Sequence, residues 1–199
     1  MKAFDEKHKI AIFLADGFET CEALVVFDFL KRAKIDVELV NANLKNTKEV
    51  VSAQGVEIIN TTPLNEIIIN NYSGIIIPGG QPGTNNLLVN SYFKEMITKF
   101  ISSTDGFVAA ICAAPFLLDK WGFLENKKIT VFPSFKKKIK FAKVFDKSVV
   151  VDGRFITAKA IGSSFEFSFK ILKKTLRKNP ELLKKIISDA YFSPSRIEW

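Results

Sequence analysis

FVAAICAAPFLL, residues 107–118, is an apolar run with one cysteine at its centre and a proline three residues later. Free cysteine is among the most buried residue types, so composition alone makes Cys112 a small core hydrophobe. The order of residue types says otherwise. FVAAI is short, apolar and rich in β-formers, whereas AAPFLLDKW opens as a helix does, with Pro115 in the first turn where its missing N–H costs nothing. Cys112 then falls at the joint between strand and helix. A sharp turn there forces a side chain outward, toward the positive end of a helix dipole, and that position suits a nucleophile.

The neighbouring segments give this joint its setting. KIAIFLA (9–15) ends in Asp-Gly and reads as a buried strand, ETCEALVVFDFLKRA (19–33) as a helix, and IDVELVNA (35–42) as an alternating strand. KEVVSAQGVEIINTT (48–62) predicts two short strands about a Gly55 turn, and SGIIIPGG (73–80) a buried strand ending in glycines. Over 84–102, apolar residues at 89, 93, 96, 97 and 100 predict one helix. KITVF (128–132) predicts a strand, and SVVVDGRFITA (148–158) a hairpin turning at Asp-Gly. SSFEFSFKILKKTL predicts a helix with Phe165, Phe169, Leu172 and Leu176 on one side and Ser163 or Ser164 as N-cap; a last helix begins at Pro180. Buried strands alternating with helices imply an α/β fold, a mostly parallel sheet covered on both faces. No repeat, low-complexity tract or linker divides the chain, so a single domain over 1–199 is expected.

At 199 residues and 47% hydrophobic, the chain is long enough to bury a full core. Two cysteines are too few for a disulfide framework and point to a reducing compartment. The N-terminal apolar stretch IAIFLA is too short for a signal sequence, and no segment approaches the length of a membrane span, so a cytoplasmic protein without membrane attachment is expected. The net charge of +8 draws on KKKIKFAK (136–143) and on KKTLRK and LKKII near the C-terminus. In the last two, apolar residues recur at helical spacing, which makes the lysines the wet faces of amphipathic helices. With no recognised nucleic-acid motif beside them, a dedicated nucleic-acid partner is not expected.

Three strand ends carry polar or glycine-rich joints: ADGFETCE, PGGQPGTN and ICAAP. Parallel sheets bind ligands at the carboxyl ends of their strands, so these joints are expected on one edge. Glu19 reads as a first-turn carboxylate complementing a helix dipole, or as half of an ion pair. Glu22 follows a central strand and can point back over the sheet edge toward Cys112. The Gly79–Gly80 pair lets backbone amides approach a ligand with no Cβ in the way, and the N–H groups of Gly80 and Ala113 can together form an oxyanion hole. A helix N-terminus lowers a thiol pKa, and a carboxyl beside a thiolate is best kept protonated, so Cys112 is expected as thiolate and Glu22 as acid. His8 is the only histidine and precedes the first strand, which argues against a Cys-His protease or glutaminase. Cys21, Cys112 and His8 match no metal-ligand spacing, and neither a metal nor a cofactor is expected. Cys21 adjoins Glu22 and can line the same pocket, there to resolve an oxidised Cys112, but a plain packing role is its expected one.

These residues resemble the ThiJ/PfpI superfamily and, within it, the ThiJ/YajL branch that includes the parkinsonism-linked deglycase. The carriers are ADGFETCEAL (15–24), the IIIPGG strand end, the AAICAAP elbow with its upstream G-x-E-x-x-E, ITVFPSFKKKI (129–139) and VVVDGRFITAKAIGSSFEFSFKIL (149–172). The resemblance runs in order over roughly residues 8–178. It implies a flavodoxin-like three-layer sandwich, a homodimer, Cys112 as reactive thiol, Glu22 as its partner, and Gly80 and Ala113 as backbone donors. Gly79, Cys21, Glu19, Phe132 and Lys159 are the residues expected to line the pocket. Phe132 stands where many members carry histidine, and Lys159 where arginine or glutamine is usual. The activities implied are removal of glyoxal and methylglyoxal adducts, conversion of free methylglyoxal to lactate, and oxidant sensing with holding of unfolded chains. A small aldehyde or glycated substrate is the expected partner.

Overall fold

The computed structural model describes residues 9–44 and 47–192; His8 and the terminal SPSRIEW lie outside them. In chain order the elements are β1 (Lys9–Leu14), α1 (Thr20–Arg32), β2 (Val37–Asn41), β3 (Val50–Val51), β4 (Glu57–Ile58), β5 (Thr62–Pro63) and β6 (Tyr72–Ile77). There follow α2 (Gly83–Val89), α3 (Ser91–Ser103), β7 (Phe107–Ile111), α4 (Pro115–Lys120), β8 (Lys128–Ile129) and β9 (Lys143–Val144). Last come β10 (Val149–Asp152), β11 (Phe155–Ala158), α5 (Ser164–Thr175) and α6 (Pro180–Asp189).

Seven strands form the central sheet in the order β10-β11-β7-β6-β1-β2-β5. Every neighbouring pair is parallel except the β10–β11 hairpin, which turns at Asp152-Gly153 as its sequence predicts. The central strands are buried on both faces because their side chains feed two separate cores. Along β1, Ile10, Ile12 and Leu14 join Val26, Phe29 and Phe167 on one side. Ala11 and Phe13 join Phe93, Phe100 and Leu117 on the other. Ring contacts lock the helices down, Phe29 meeting Phe169 edge-on at 5.0 Å and Phe13 meeting Phe93 tilted at 5.1 Å. The expected α/β sandwich with helices on both faces is therefore the observed fold.

Three local expectations are corrected. The helix expected over 84–102 is two helices, because the buried Asn90 takes extended backbone, accepts from Phe93 N at 3.0 Å and donates to Ala42 O at 2.9 Å. An asparagine that ties its side chain to backbone groups ends one helix and caps the next. KITVF forms only the short β8, which pairs with β9 outside the main sheet. On α5, Phe169, Leu172 and Leu176 are buried, but Phe165 lies outside the core and stacks on Phe192 at 5.5 Å. Ser163 occupies the N-cap position without a side-chain capping bond.

Candidate active site

Each of the three loops that follow β1, β6 and β7 delivers one part of the site. After β7, Cys112 adopts φ +63°, the left-handed region that side-chain-bearing residues avoid. Two backbone bonds hold it there: Cys112 N donates to Ala158 O and Phe132 N donates to Cys112 O, both at 2.9 Å. Pro115 opens α4 at its first position, as the sequence predicts. After β1, Glu19 caps α1 and its Oε2 accepts from Glu22 N at 2.7 Å. That bond sets the first turn so that Glu22, only 1% exposed, points inward. After β6, Gly79 N donates to Glu22 Oε2 at 2.8 Å.

The loops interlock through glycines. A Cβ at Gly79 would lie 2.6 Å from Cys112 Cβ and 2.7 Å from Glu22 Oε2. Gly80 has φ +97°, and a Cβ there would lie 2.4 Å from both Glu19 N and Gly17 O. Glu19 N donates to Gly79 O at 2.9 Å and Gly83 N to Gly17 O at 3.2 Å, closing the β1 loop against the β6 loop. Only residues without side chains let the backbones approach so closely.

At the centre, the Cys112 thiol is hydrogen-bonded to the Glu22 carboxyl and receives the N–H groups of Ala113 and Gly80. Burial raises the Glu22 carboxyl from 4.5 to about 7, with the Glu19 charge adding to the rise and the Gly79 N–H opposing it. Burial and the Glu22 carboxylate push the Cys112 thiol up to about 12, against the pull of the Ala113 and Gly80 N–H groups. The expectation of a lowered thiol pKa is therefore corrected: α4 is six residues long, and its dipole is outweighed by desolvation and by the carboxylate. The pair loses its first proton near pH 7 and its second far above. Between them it carries one negative charge and one proton.

Not every residue expected here arrives at the sulfur. Gly79, Gly80, Ala113 and Glu22 do, and Glu19 acts one bond away as the cap that orients Glu22. Phe132 adjoins the elbow through its backbone and is 38% exposed. The Lys159 ammonium is held by Asp146, although its chain neighbour Ala158 supports the elbow. Cys21 is exposed, so the packing role expected for it is wrong: one residue along a helix is a 100° turn away from the buried Glu22. Two contributors were not singled out from sequence. Gly17 receives the β6 loop, and Asp119, fully buried, accepts the N–H groups of Lys140, Phe141 and Ala142 at 2.7, 3.1 and 2.9 Å. The Asp-Gly pair after KIAIFLA was a visible signal for the first; a lone aspartate in an apolar helix was the signal for the second. Among the described residues, no cluster of three or more His, Cys, Asp or Glu is placed to hold a metal. No helix among them is long and apolar enough to cross a membrane.

A flavodoxin-like sheet with a left-handed cysteine at one strand end and a buried glutamate at the next but one defines a class of α/β proteins built around a cysteine elbow. The chain belongs to the DJ-1/PfpI family, whose profile matches residues 8–174. Protein dj-1beta of Drosophila melanogaster is 33% identical over 165 residues, 82% of this chain and 87% of that protein. Its crystal structure superposes with a TM-score of 0.86 at 28% identity, covering 94% of this chain and 99% of the other. Protein DJ-1 homolog B of Arabidopsis thaliana is 35% identical over 173 residues, 86% of this chain but only 39% of that longer protein. The glutathione-independent glyoxalase DJ-1 of Schizosaccharomyces pombe is 27% identical over 178 residues, covering 86% and 93% of the two chains.

Proposed function

We propose that this chain is a cysteine-dependent glyoxalase or deglycase that needs no cofactor and acts on methylglyoxal, glyoxal or their adducts. The observation that carries the reading is the thiol of Cys112, facing both the Glu22 carboxyl and the two N–H donors of Gly80 and Ala113. With methylglyoxal, Sγ bonds to the aldehyde carbon while the thiol proton passes to the Glu22 carboxylate. The Gly80 and Ala113 N–H groups stabilise the resulting oxyanion. Glu22 returns its proton to that oxygen, giving the hemithioacetal, and as carboxylate then moves a proton from the former aldehyde carbon to the neighbouring carbonyl carbon by way of an enediol, leaving a lactyl thioester. Water cleaves that thioester, releasing lactate and restoring the thiol, so the sum is methylglyoxal plus water to lactate. On an adduct, the same attack ends in loss of the amine or thiol that bore the aldehyde. A relative named as a glutathione-independent glyoxalase supports the reading.

A second reading uses the same donors. Oxidation of Cys112 to a sulfinate would place negative oxygens where the two N–H groups and a protonated Glu22 can hold them, making the chain a redox-sensing, chaperone-like stress protein. Lactate formation separates the two. Wild type is expected to convert methylglyoxal to lactate with multiple turnovers, and Cys112→Ser to lose that turnover with an unchanged circular dichroism spectrum. Turnover retained by Cys112→Ser would remove the sulfur from the mechanism; stoichiometric oxidation without any wild-type turnover would favour the sensor. A homodimer and a reducing, cytoplasmic setting complete the proposal, the second supported by two cysteines that are both free.

A further inference from the structure

The charge of the chain is concentrated in one segment. Residues 127–159 hold ten lysines and arginines against two aspartates, a surplus as large as the +8 of the whole protein. Both aspartates are engaged, Asp146 with the Lys159 ammonium and Asp152 with Lys128 N. The lysines of 136–143 do not form the wet face of an amphipathic helix. They sit on a short 3-10 turn, Pro133–Lys138, and on the irregular chain that leads into β9. Lys136, Lys137, Lys138, Lys140 and Lys143 are all exposed.

Aromatic rings interleave with these lysines. Phe132, Phe141 and Phe145 are 38%, 47% and 40% exposed, and Phe135 is half-buried with the Lys138 ammonium 4.5 Å above its ring. The backbone beneath them is fixed. Phe132 N is tied to Cys112 O, Phe145 N to Ile129 O, and the buried Asp119 clamps the three amides of Lys140, Phe141 and Ala142. Exposed rings held on a fixed backbone among charges of predominantly one sign are the chemistry that binds a strand of phosphates carrying unstacked bases. A membrane surface calls for rings that project freely, as Tyr191 does at 98% exposure; these rings are less than half exposed.

We propose that the segment from Phe132 to Phe145 is a docking platform for single-stranded nucleic acid, lying beside the Cys112 elbow. It revises the expectation, drawn from the lysines of the C-terminal helices, that nucleic acid is no partner of this chain. Lysines hold the phosphates and the exposed rings of Phe132, Phe141 and Phe145 stack on bases, so duplexes, whose bases are already stacked, bind less well. The site stands independently of turnover at Cys112.

Fluorescence anisotropy with a labelled mixed-sequence single-stranded DNA, the matching duplex and the full chain tests this. Wild type is expected to bind the single strand more tightly than the duplex, with affinity falling steeply with salt. Lys136→Glu/Lys137→Glu/Lys138→Glu is expected to weaken binding at least about tenfold and to flatten the log–log salt slope by roughly two, since each lost phosphate contact contributes about 0.7. The milder Lys136→Gln/Lys137→Gln/Lys138→Gln should fall between, and Phe141→Ala should weaken binding with the salt slope unchanged. Circular dichroism melts identify any variant that fails to fold, and the glutamine series then carries the comparison. The proposal is overturned if wild type does not bind the strand at 50 mM salt or prefers the duplex. It is equally overturned if Lys184→Glu/Lys185→Glu on α6 weakens binding as much as the platform variant, or if the chain floats with phosphatidylserine vesicles yet ignores the oligonucleotide.

Discussion

At Cys112 and Glu22 the chemistry depends on where one proton sits. Their pairing was legible in the sequence, because a cysteine between FVAAI and AAPFLL and a glutamate at the third position of the helix after the first strand have few other uses together. The direction of the thiol pKa was not, since residue order shows neither how deeply Sγ is buried nor how short α4 is. The carboxyl's rise from 4.5 to about 7 has a consequence for stability. Between those values the folded chain holds a proton that the unfolded chain has released. The stability tied to that proton is full below 4.5 and lost as pH rises through 7, about 3 kcal/mol in all. Glu22→Gln has no proton to lose and can still accept from Gly79 N. It is expected to resist urea better than wild type at pH 8, with the advantage shrinking toward pH 5; an advantage equal at both pH values would contradict the buried-acid assignment.

Among the elements, the loops after β1, β6 and β7 matter more than the strands that carry them. Gly80 combines a positive φ with a Cβ position 2.4 Å from two backbone atoms, whereas Gly153 in the β10–β11 turn has φ +61° and open space around it. Alanine at Gly153 meets only the left-handed penalty, about 1–2 kcal/mol. Alanine at Gly80 must also push the β1 and β6 loops apart, and urea midpoints should show it costing at least ~2 kcal/mol more. Equal losses would mean that the loops yield freely. The glycine pair was legible as a close approach, and Pro115 as a helix start. By apolar periodicity Asn90 is one more residue of a helix, because that spacing misses a side chain that reaches back to Ala42 O. The brevity of β8 escaped for a related reason: its partner is the irregular lysine-rich stretch, which carries no strand pattern of its own.

For the whole molecule, the alternation of buried strands and helices was enough to give a parallel sheet with two cores. The order of strands across the sheet is a matter of tertiary packing, and so is the meeting of three loops at one sulfur. The quaternary state is carried by the family resemblance. Sedimentation velocity at micromolar concentration is expected to return twice the 22.4 kDa chain mass, and a single-chain mass would refute the homodimer. The proposed turnover belongs at this scale, because the proposed nucleophile, proton carrier and donors come from separate loops that only the folded chain assembles. The most direct test is the pH dependence of kcat/KM for lactate formation from methylglyoxal, in wild type and in Glu22→Gln. The wild-type profile should rise about tenfold per pH unit below 7 and level off above it, as the Cys112–Glu22 pair gives up its first proton. Glu22→Gln should fall by roughly two or more orders of magnitude and lose the break. A wild-type profile with no break near 7, or a glutamine variant that turns over as wild type does, would contradict the shared-proton site.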